Sequence, residues 1–299
     1  MEKNEKRAYI KYISALLLFG SNGIVASHIA LNSYEIVLLR TAIGSAFLFM
    51  LFLLAKGQFT FWTQKRAFIF LLCSGVAMGG NWLFLYEAFQ QIGVGMATLT
   101  CYCGPVFVMI LSLILFKTRL TWPKTVGFFI VVGGMLLING HLLQAGYSGW
   151  GLFCGMMSAV MYAVLVICNK KAAAIAGLEN ALLQLAISFV TVAIFVAWKQ
   201  GLVLQIGSGD WLPILFLGLL NTGIGCYLYF SSLGILPVQT VAVCGYLEPL
   251  SAVIFSVFLL GETMTAIQWL GAGMILGGAM LSEMTVVSLK EKRKTCGDV

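Results

Sequence analysis

Residues 245–281 read GYLEPLSAVIFSVFLLGETMTAIQWLGAGMILGGAML, two apolar runs separated by a single Gly-Glu step. A helix needs about 20 consecutive apolar residues to cross a bilayer core, whereas a soluble helix keeps one polar face. Neither run has such a face. Glu248-Pro249 stands inside the first run, and a glycine series from Gly271 to Gly278 closes the second. Proline removes a backbone donor and interrupts the helical ladder, while small residues let membrane helices approach closely. The stretch therefore predicts two membrane helices, one broken beside a carboxylate and one suited to close packing.

The same signature occurs earlier in the chain. Shifted by 144 residues, the sequence matches itself without gaps from Tyr12 to Leu137, the mark of an internal repeat. Tyr102 falls on Tyr246, Pro105 on Pro249, Ser112 on Ser256, Thr121 on Thr265, Gly127 on Gly271 and Gly133-Gly134 on Gly277-Gly278. Upstream, Ser14-Ala15 falls on Ser158-Ala159, Glu35 on Glu179 and Gly79 on Gly223. A biased composition scatters chance identities, but it does not align prolines and double glycines at one offset.

Apolar windows of bilayer length give ten spans, at approximately 8–30, 34–55, 67–89, 95–117, 122–140, 149–171, 179–199, 211–233, 238–260 and 265–284. The expected fold is an all-α integral membrane protein of ten transmembrane helices in two five-helix repeats, residues 1–145 and 146–299. Because five is odd, the second repeat enters the membrane from the side opposite the first. Two halves related in this way by an axis in the membrane plane are the inverted-repeat plan of secondary transporters, with a site near the midplane between them.

Composition agrees with lipid as the main solvent. Of 299 residues, 60% are hydrophobic and 10% charged, and the mean hydropathy is +0.97. Soluble domains carry about 25% charged residues, so a soluble enzyme, a secreted disulfide scaffold and a disordered chain are excluded. A net charge of +7 could indicate nucleic acid, but the placement of the cations gives another explanation. Lys3, Lys6, Arg7 and Lys11 lie at the amino end; Lys56, Lys65 and Arg66, Lys117, Arg119 and Lys124, Lys170 and Lys171, and the tail Lys290, Lys292, Arg293 and Lys294 all fall on the same side. Lys199 alone lies opposite. By the positive-inside rule both termini are expected in the cytoplasm of a multi-pass plasma-membrane protein, with no nucleic-acid partner. The amino end resembles a signal peptide, but its apolar run is long enough to span and is expected to remain uncleaved.

Three segments resemble a known family: ALLLFGSNGIVASHIAL at 15–31, LLRTAIGSAF at 38–47, and the stretch at 245–281. Together they resemble the EamA family of the drug/metabolite transporter superfamily. The resemblance covers nearly the whole chain and implies ten helices, inverted halves, a central cavity and alternating access for small metabolites, often outward. In the first half Lys117-Thr118 replaces the Gly-Glu turn, and Gly104 stands where the second half has Glu248. These departures argue against a symmetric site.

Ionisable groups deep in a bilayer cost about 2.5–3.5 kcal/mol each on insertion scales, so those present should face the interior or a wet cavity. Glu248 is the leading candidate for binding cargo or a proton, because Pro249 should free the carbonyl of Gly245 beside it and because its repeat mate is glycine. Bracing of helix ends is the structural alternative. Asn22, His28, Arg40, Asn81, Trp82 and Glu87 align with Val166, Ala172, Gln184, Gly225, Cys226 and Ser231, so none is repeated. Unrepeated polar groups are expected to select cargo and repeated ones to build the frame. On this basis Asn22, Asn81, Trp82 and Tyr86, the last two one helical turn apart on one face, are candidate substrate-binding residues. Tyr102 and Tyr246 join them because each precedes a proline by one turn, although Tyr246 and Glu248 point to nearly opposite sides of an ideal helix. Arg40 and Glu87 are expected as an ion pair or gate, and Pro105 and Pro249 as helix breaks.

Other motifs do not carry chemistry. The Gly271-x-Gly273-x-x-x-Gly277 series lacks the preceding strand of a dinucleotide loop. The cysteines lie in spans without paired spacing, apart from Cys296 in the tail, and His28 and His141 are too few for a zinc centre, so no metal, cofactor or disulfide framework is expected. No phosphate-binding loop is present for ATP hydrolysis, and an intramembrane enzyme lacks a nucleophile. A passive channel would show neither saturation nor counterflow. The expectation is a secondary transporter, not an enzyme, that exports an amino acid or related compound. The alternative is proton-coupled or facilitated uptake of a small cation such as a quaternary amine. Lipid, a small-molecule substrate and protons are the expected partners, for a monomer or homodimer.

Overall fold

The computed structural model describes residues 2–26, 28–101, 103–116, 122–139, 148–201, 204, 206–207, 209–260, 265–267, 269–278 and 281. Tyr102, Lys117-Thr118, Arg119, His141, the Gly261-Glu262 step, Cys296 and the basic tail lie outside them. The described residues are helical and contain no strand. In chain order the helices are α1 Glu2–Gly20, α2 Asn22–Ala26, α3 Ser33–Leu54, α4 Lys65–Cys101, α5 Gly104–Phe116, α6 Trp122–Asn139, α7 Gly149–Lys171 and α8 Gly177–Lys199. There follow α9 Trp211–Phe216, a π-helical segment Leu217–Ile224, α10 Gly225–Leu233, α11 Val238–Cys244, α12 Leu247–Leu260 and α13 Trp269–Gly278. Among the described residues, six helices are long and apolar enough to cross a membrane: Asn4–Ala26, Ser33–Leu54, Lys65–Ile92, Gly149–Lys171, Gly177–Lys199 and Trp211–Leu233. Shorter apolar helices cover Thr125–Leu137 and Trp269–Gly278.

Local chemistry explains several boundaries. Asn32 and Glu35 close a capping box at the start of α3, where the Asn32 side chain accepts from the Glu35 N–H at 3.0 Å and Glu35 Oε2 accepts from the Asn32 N–H at 3.1 Å. This satisfies backbone donors that a helix start leaves open. The backbone is helical throughout α4, yet its C-terminal end lies beside its middle. Asn81 Nδ2 donates to the Ser158 carbonyl at 2.8 Å, and Ser158 Oγ lies 3.3 Å from Cys101 Sγ. In a straight helix, twenty residues would separate Asn81 from Cys101 by about 30 Å. Gln91 and Ile92 pack on Gly151, and Thr100 packs on Gly155 one turn further along α7. The chain therefore doubles back between Ile92 and Thr100.

Helices stop just ahead of both predicted breaks. α4 ends at Cys101 and α5 resumes at Gly104 before Pro105; α11 ends at Cys244 and α12 resumes at Leu247 before Pro249. The Gly245 carbonyl, expected to be free, instead accepts from the Glu248 N–H at 3.2 Å. A tighter turn thus takes up the acceptor that the proline leaves open.

Two sets of contacts mark opposite ends of the bundle. At one end the Glu179 carboxylate accepts from the N–H groups of Thr60 and Phe61 and from Thr60 Oγ1, at 2.7, 3.0 and 2.7 Å. Lys170 Nζ lies 2.7 Å from the carbonyls of both Gly234 and Leu236, capping the end of α10. At the other end Asp210 Oδ1 accepts from the Ala30 N–H at 3.0 Å, and Lys199 Nζ donates to Tyr34 Oη at 2.7 Å.

α6 and α13 cross with almost no side chain between them. A Cβ added at Gly134 would stand 2.6 Å from the Gly271 carbonyl oxygen, and one added at Gly278 would stand 2.7 Å from the Gly127 carbonyl oxygen. The contact is reciprocal: Gly127 is the repeat mate of Gly271, and Gly134 of Gly278. Gly273 and Gly277 instead face open space.

Candidate functional site

A cavity with about 120 Å³ of space for water-sized molecules lies between elements drawn from both sequence halves. α1 to α5 contribute Phe19, Asn22, Arg40, Met78, Asn81, Trp82, Leu85, Cys101 and Pro105, and the later elements contribute Tyr162, Leu165, Cys226, Tyr229, Phe230, Gly245 and Glu248. Its walls are largely apolar, with a few polar groups that converge, as in small-molecule sites generally.

Glu248 occupies the first turn of α12. This turn sits close to α1 because Gly20 has no side chain: a Cβ there would meet Ser251 and lie 3.0 Å from the Glu248 carbonyl oxygen. Ser251 Oγ donates to that carbonyl at 2.8 Å. Among the described residues the Glu248 carboxylate has neither a hydrogen-bond partner nor an ion-pair partner. The frame therefore holds the Glu248 backbone and leaves the acid free.

Arg40 faces the same cavity from α3, buried to 3% exposure. Its Nε donates to Thr222 Oγ1 at 2.9 Å, one terminal nitrogen lies 3.5 Å from Tyr86 Oη, and the guanidinium stacks 4.5 Å from the Trp82 ring centre. Thr222 can reach it because the π-helical segment turns Thr222 inward, with Thr222 Oγ1 bonded to the Leu217 carbonyl at 2.8 Å. From the same segment Asn221 Nδ2 donates to Ser21 Oγ and Asn22 Oδ1, each at 2.9 Å, which fixes Asn22 at the break between α1 and α2. Asn81 is fixed by donating to Ser158.

The expected pairing of Arg40 with Glu87 is corrected by these contacts. Glu87 Oε2 lies 3.2 Å from Lys199 Nζ, and Glu87 Oε1 accepts from Gln91 Nε2 at 3.3 Å and Trp150 Nε1 at 3.4 Å. This cluster ties α3, α4, α7 and α8 together at one end of the bundle, away from the cavity wall. Lys199 is substantially exposed, so the pair contributes about 0–1 kcal/mol. Glu87→Gln should therefore shift the melting temperature of the purified protein by no more than a few degrees, with the effect shrinking further in high salt.

Of the other residues expected at the site, Asn22, Asn81, Trp82, Pro105 and Glu248 line the cavity. Tyr86 stands behind Arg40 and off the wall. Tyr246 is buried to 1% exposure and is also off the wall, in keeping with its spacing from Glu248. Pro249 is buried beside the break. Sequence reasoning missed Tyr162 and Tyr229, whose hydroxyls lie 3.3 Å apart, and Phe19, whose ring centre is 5.9 Å from that of Tyr229. Tyr162 and Tyr229 align with Leu18 and Leu85, so the search for unrepeated polar residues, carried as far as tyrosine, finds both. Cys73 and Cys168 are free thiols with sulfur atoms 3.6 Å apart across α4 and α7, a proximity their spacing did not indicate.

Comparison with known proteins gives concordant matches over most of the chain. A family model described as the EamA-like transporter family matches residues 6–140 and again residues 149–284. The chain is 26% identical over 284 residues to the uncharacterized transporter YxxF of Bacillus subtilis (strain 168), covering 94% of this chain and 90% of that protein. It is 29% identical over 261 residues to the threonine/homoserine exporter RhtA of Escherichia coli (strain K12), covering 83% of this chain and 81% of RhtA. A solved crystal structure superposes with a TM-score of 0.80 at 18% identity, covering 93% of this chain and 98% of that one, which shows a shared fold.

Proposed function

Because the chain belongs to the EamA-like transporter family, we propose that it is a secondary transporter that exports an amino acid or related small polar metabolite across the plasma membrane by alternating access. The family consists of transporters and not enzymes, and the chain is a multi-pass membrane protein. The observation that carries the proposal is a cavity framed by both sequence halves in which a carboxylate stands without a hydrogen-bond or ion-pair partner among the described residues. The name of its relative RhtA, a threonine/homoserine exporter, supports the amino-acid class and the outward direction.

The architecture that goes with this function is ten transmembrane helices in two inverted halves, 1–145 and 146–299. Two separate matches of one family model and the reciprocal glycine contacts of α6 and α13 support it. Both termini are then cytoplasmic, a reading supported by the gathering of Thr60, Lys170 and Glu179 contacts at one end of the bundle and of Lys199 and Asp210 contacts at the other. Reporter fusions at Glu2 and Val299 should both give a cytoplasmic signal. An external signal from either would break the ten-span plan.

Uptake of a small cation is the second reading, favoured by Glu248 and the aromatic groups near it. Against it, the Trp82 face is already covered by Arg40 at 4.5 Å. Liposomes containing the purified protein and preloaded with unlabelled amino acids should accumulate the labelled compound by counterflow. Counterflow with quaternary amines alone would select the cation reading, and flux without saturation or counterflow would indicate a channel.

A further inference from the structure

Two opposite charges share the cavity without forming an ion pair. Arg40 comes from the first half and Glu248 from the second, and both line the wall. They are not within ion-pair distance, and the ion pair found among the described residues is Lys199–Glu87. A guanidinium has five N–H donors in a planar fork. Arg40 uses one on Thr222 and one, at long range, on Tyr86, leaving three without an acceptor among the described residues. Thr222, Tyr86 and Trp82 hold the guanidinium plane in place without supplying a counter-charge. Such a fork is suited to a carboxylate, which it binds through two parallel hydrogen bonds. The Glu248 carboxylate, equally unpaired, is suited to an ammonium group.

We infer that the cavity is a binding site for a zwitterionic α-amino acid, with Arg40 holding its carboxylate and Glu248 its ammonium group. The inference rests on the transporter reading and names the cargo by its charges. Either charge unpaired in a low-dielectric site is costly, so a ligand with only one charge leaves one wall unmatched. A simple amine leaves Arg40 without an anion, and a simple acid leaves Glu248 without a cation. The zwitterion satisfies both while adding no net charge to the cavity. Met78, Leu85, Leu165 and Phe230 supply the apolar surface against which a side chain packs. Arg40 is thereby a substrate ligand and not half of a lock with Glu87.

The test uses full-length protein in detergent and in liposomes. Binding of the twenty standard L-amino acids is screened by thermal shift. Affinities are then compared within two matched sets: L-serine, ethanolamine and 3-hydroxypropionate, and L-leucine, isoamylamine and 4-methylpentanoate. In at least one set the amino acid should bind and drive counterflow, with both singly charged analogues weaker by about tenfold or more. Glu248→Gln should narrow the gap between amino acid and acid, and Arg40→Gln the gap between amino acid and amine. If Arg40→Gln does not fold, the wild-type comparison still decides. An amine or acid that binds as tightly as its parent amino acid overturns the inference. So does counterflow of another solute, such as a sugar or nucleoside, with no amino acid bound, although the transporter reading then survives. Absence of both binding and counterflow across amino acids, amines, nucleosides and sugars overturns both.

Discussion

Glu248→Gln should insert and fold normally, melt at the same temperature as the wild type or slightly above it, and lose coupled flux by about a hundredfold or more. The two expectations have one origin. No described residue pairs with the carboxylate, so removing its charge takes away a desolvation cost without breaking a protein contact. If the same carboxylate carries the cation of the cargo, or a proton, its loss removes an interaction that a buried charged partner makes worth about 2–5 kcal/mol. Residual transport should no longer respond to pH. A structural brace behaves differently: the variant would melt early and lose activity in proportion. A folded variant with wild-type flux across pH would exclude the charged role and move attention to Arg40.

The second large effect is expected where α6 and α13 cross. Gly134→Leu or Gly278→Leu should destabilise the protein by about 3 kcal/mol, read as a fall in melting temperature and a smaller folded fraction after extraction. The obstacle in each case is a backbone carbonyl, 2.6 Å from the new Cβ at Gly134 and 2.7 Å at Gly278, which cannot rotate away as a side chain can. Gly273→Leu and Gly277→Leu provide the control within the same helix. Their added atoms meet nothing within 4 Å, so both should stay within about 0.5 kcal/mol of the wild type. Equal losses at all four positions would mean that the crossing does not set the cost, since leucine is the better helix former and propensity alone would favour every one of these replacements.

The parts of the fold that depend on local sequence were legible. The proline breaks and the apolar spans each have a cause within a few residues. Asn22, Arg40, Asn81, Trp82 and Glu248, which line the cavity, were legible as candidates, because a polar group in an apolar run is expensive and needs a wet or paired environment. Which partner each would find was not legible. Glu87 and Lys199 are separated by 112 residues, and their meeting depends on how α4 and α8 pack, which no periodicity specifies. Tyr246 illustrates the same limit: its proximity to the break placed it among the candidates, but its direction from the helix axis keeps it off the cavity wall.

The π-helical segment from Leu217 to Ile224 leaves this span open to single-residue insertions and deletions. A π turn holds in one loop of the ladder what an α-helix distributes with fewer residues per turn, and it commonly corresponds to one residue inserted into an α-helix. Deleting one residue there would let the ladder close as a regular α-helix with α10 near its present register, whereas the same deletion in an α-helix would rotate everything beyond it by about 100°. Cys226, Tyr229 and Phe230 would stay on the cavity wall, and the change would fall on Thr222, whose support for Arg40 comes from within the wide turn. The extra residue of this segment is therefore taken up within one turn, where it sets the angle at which Thr222 meets Arg40 and leaves the wall beyond it in register.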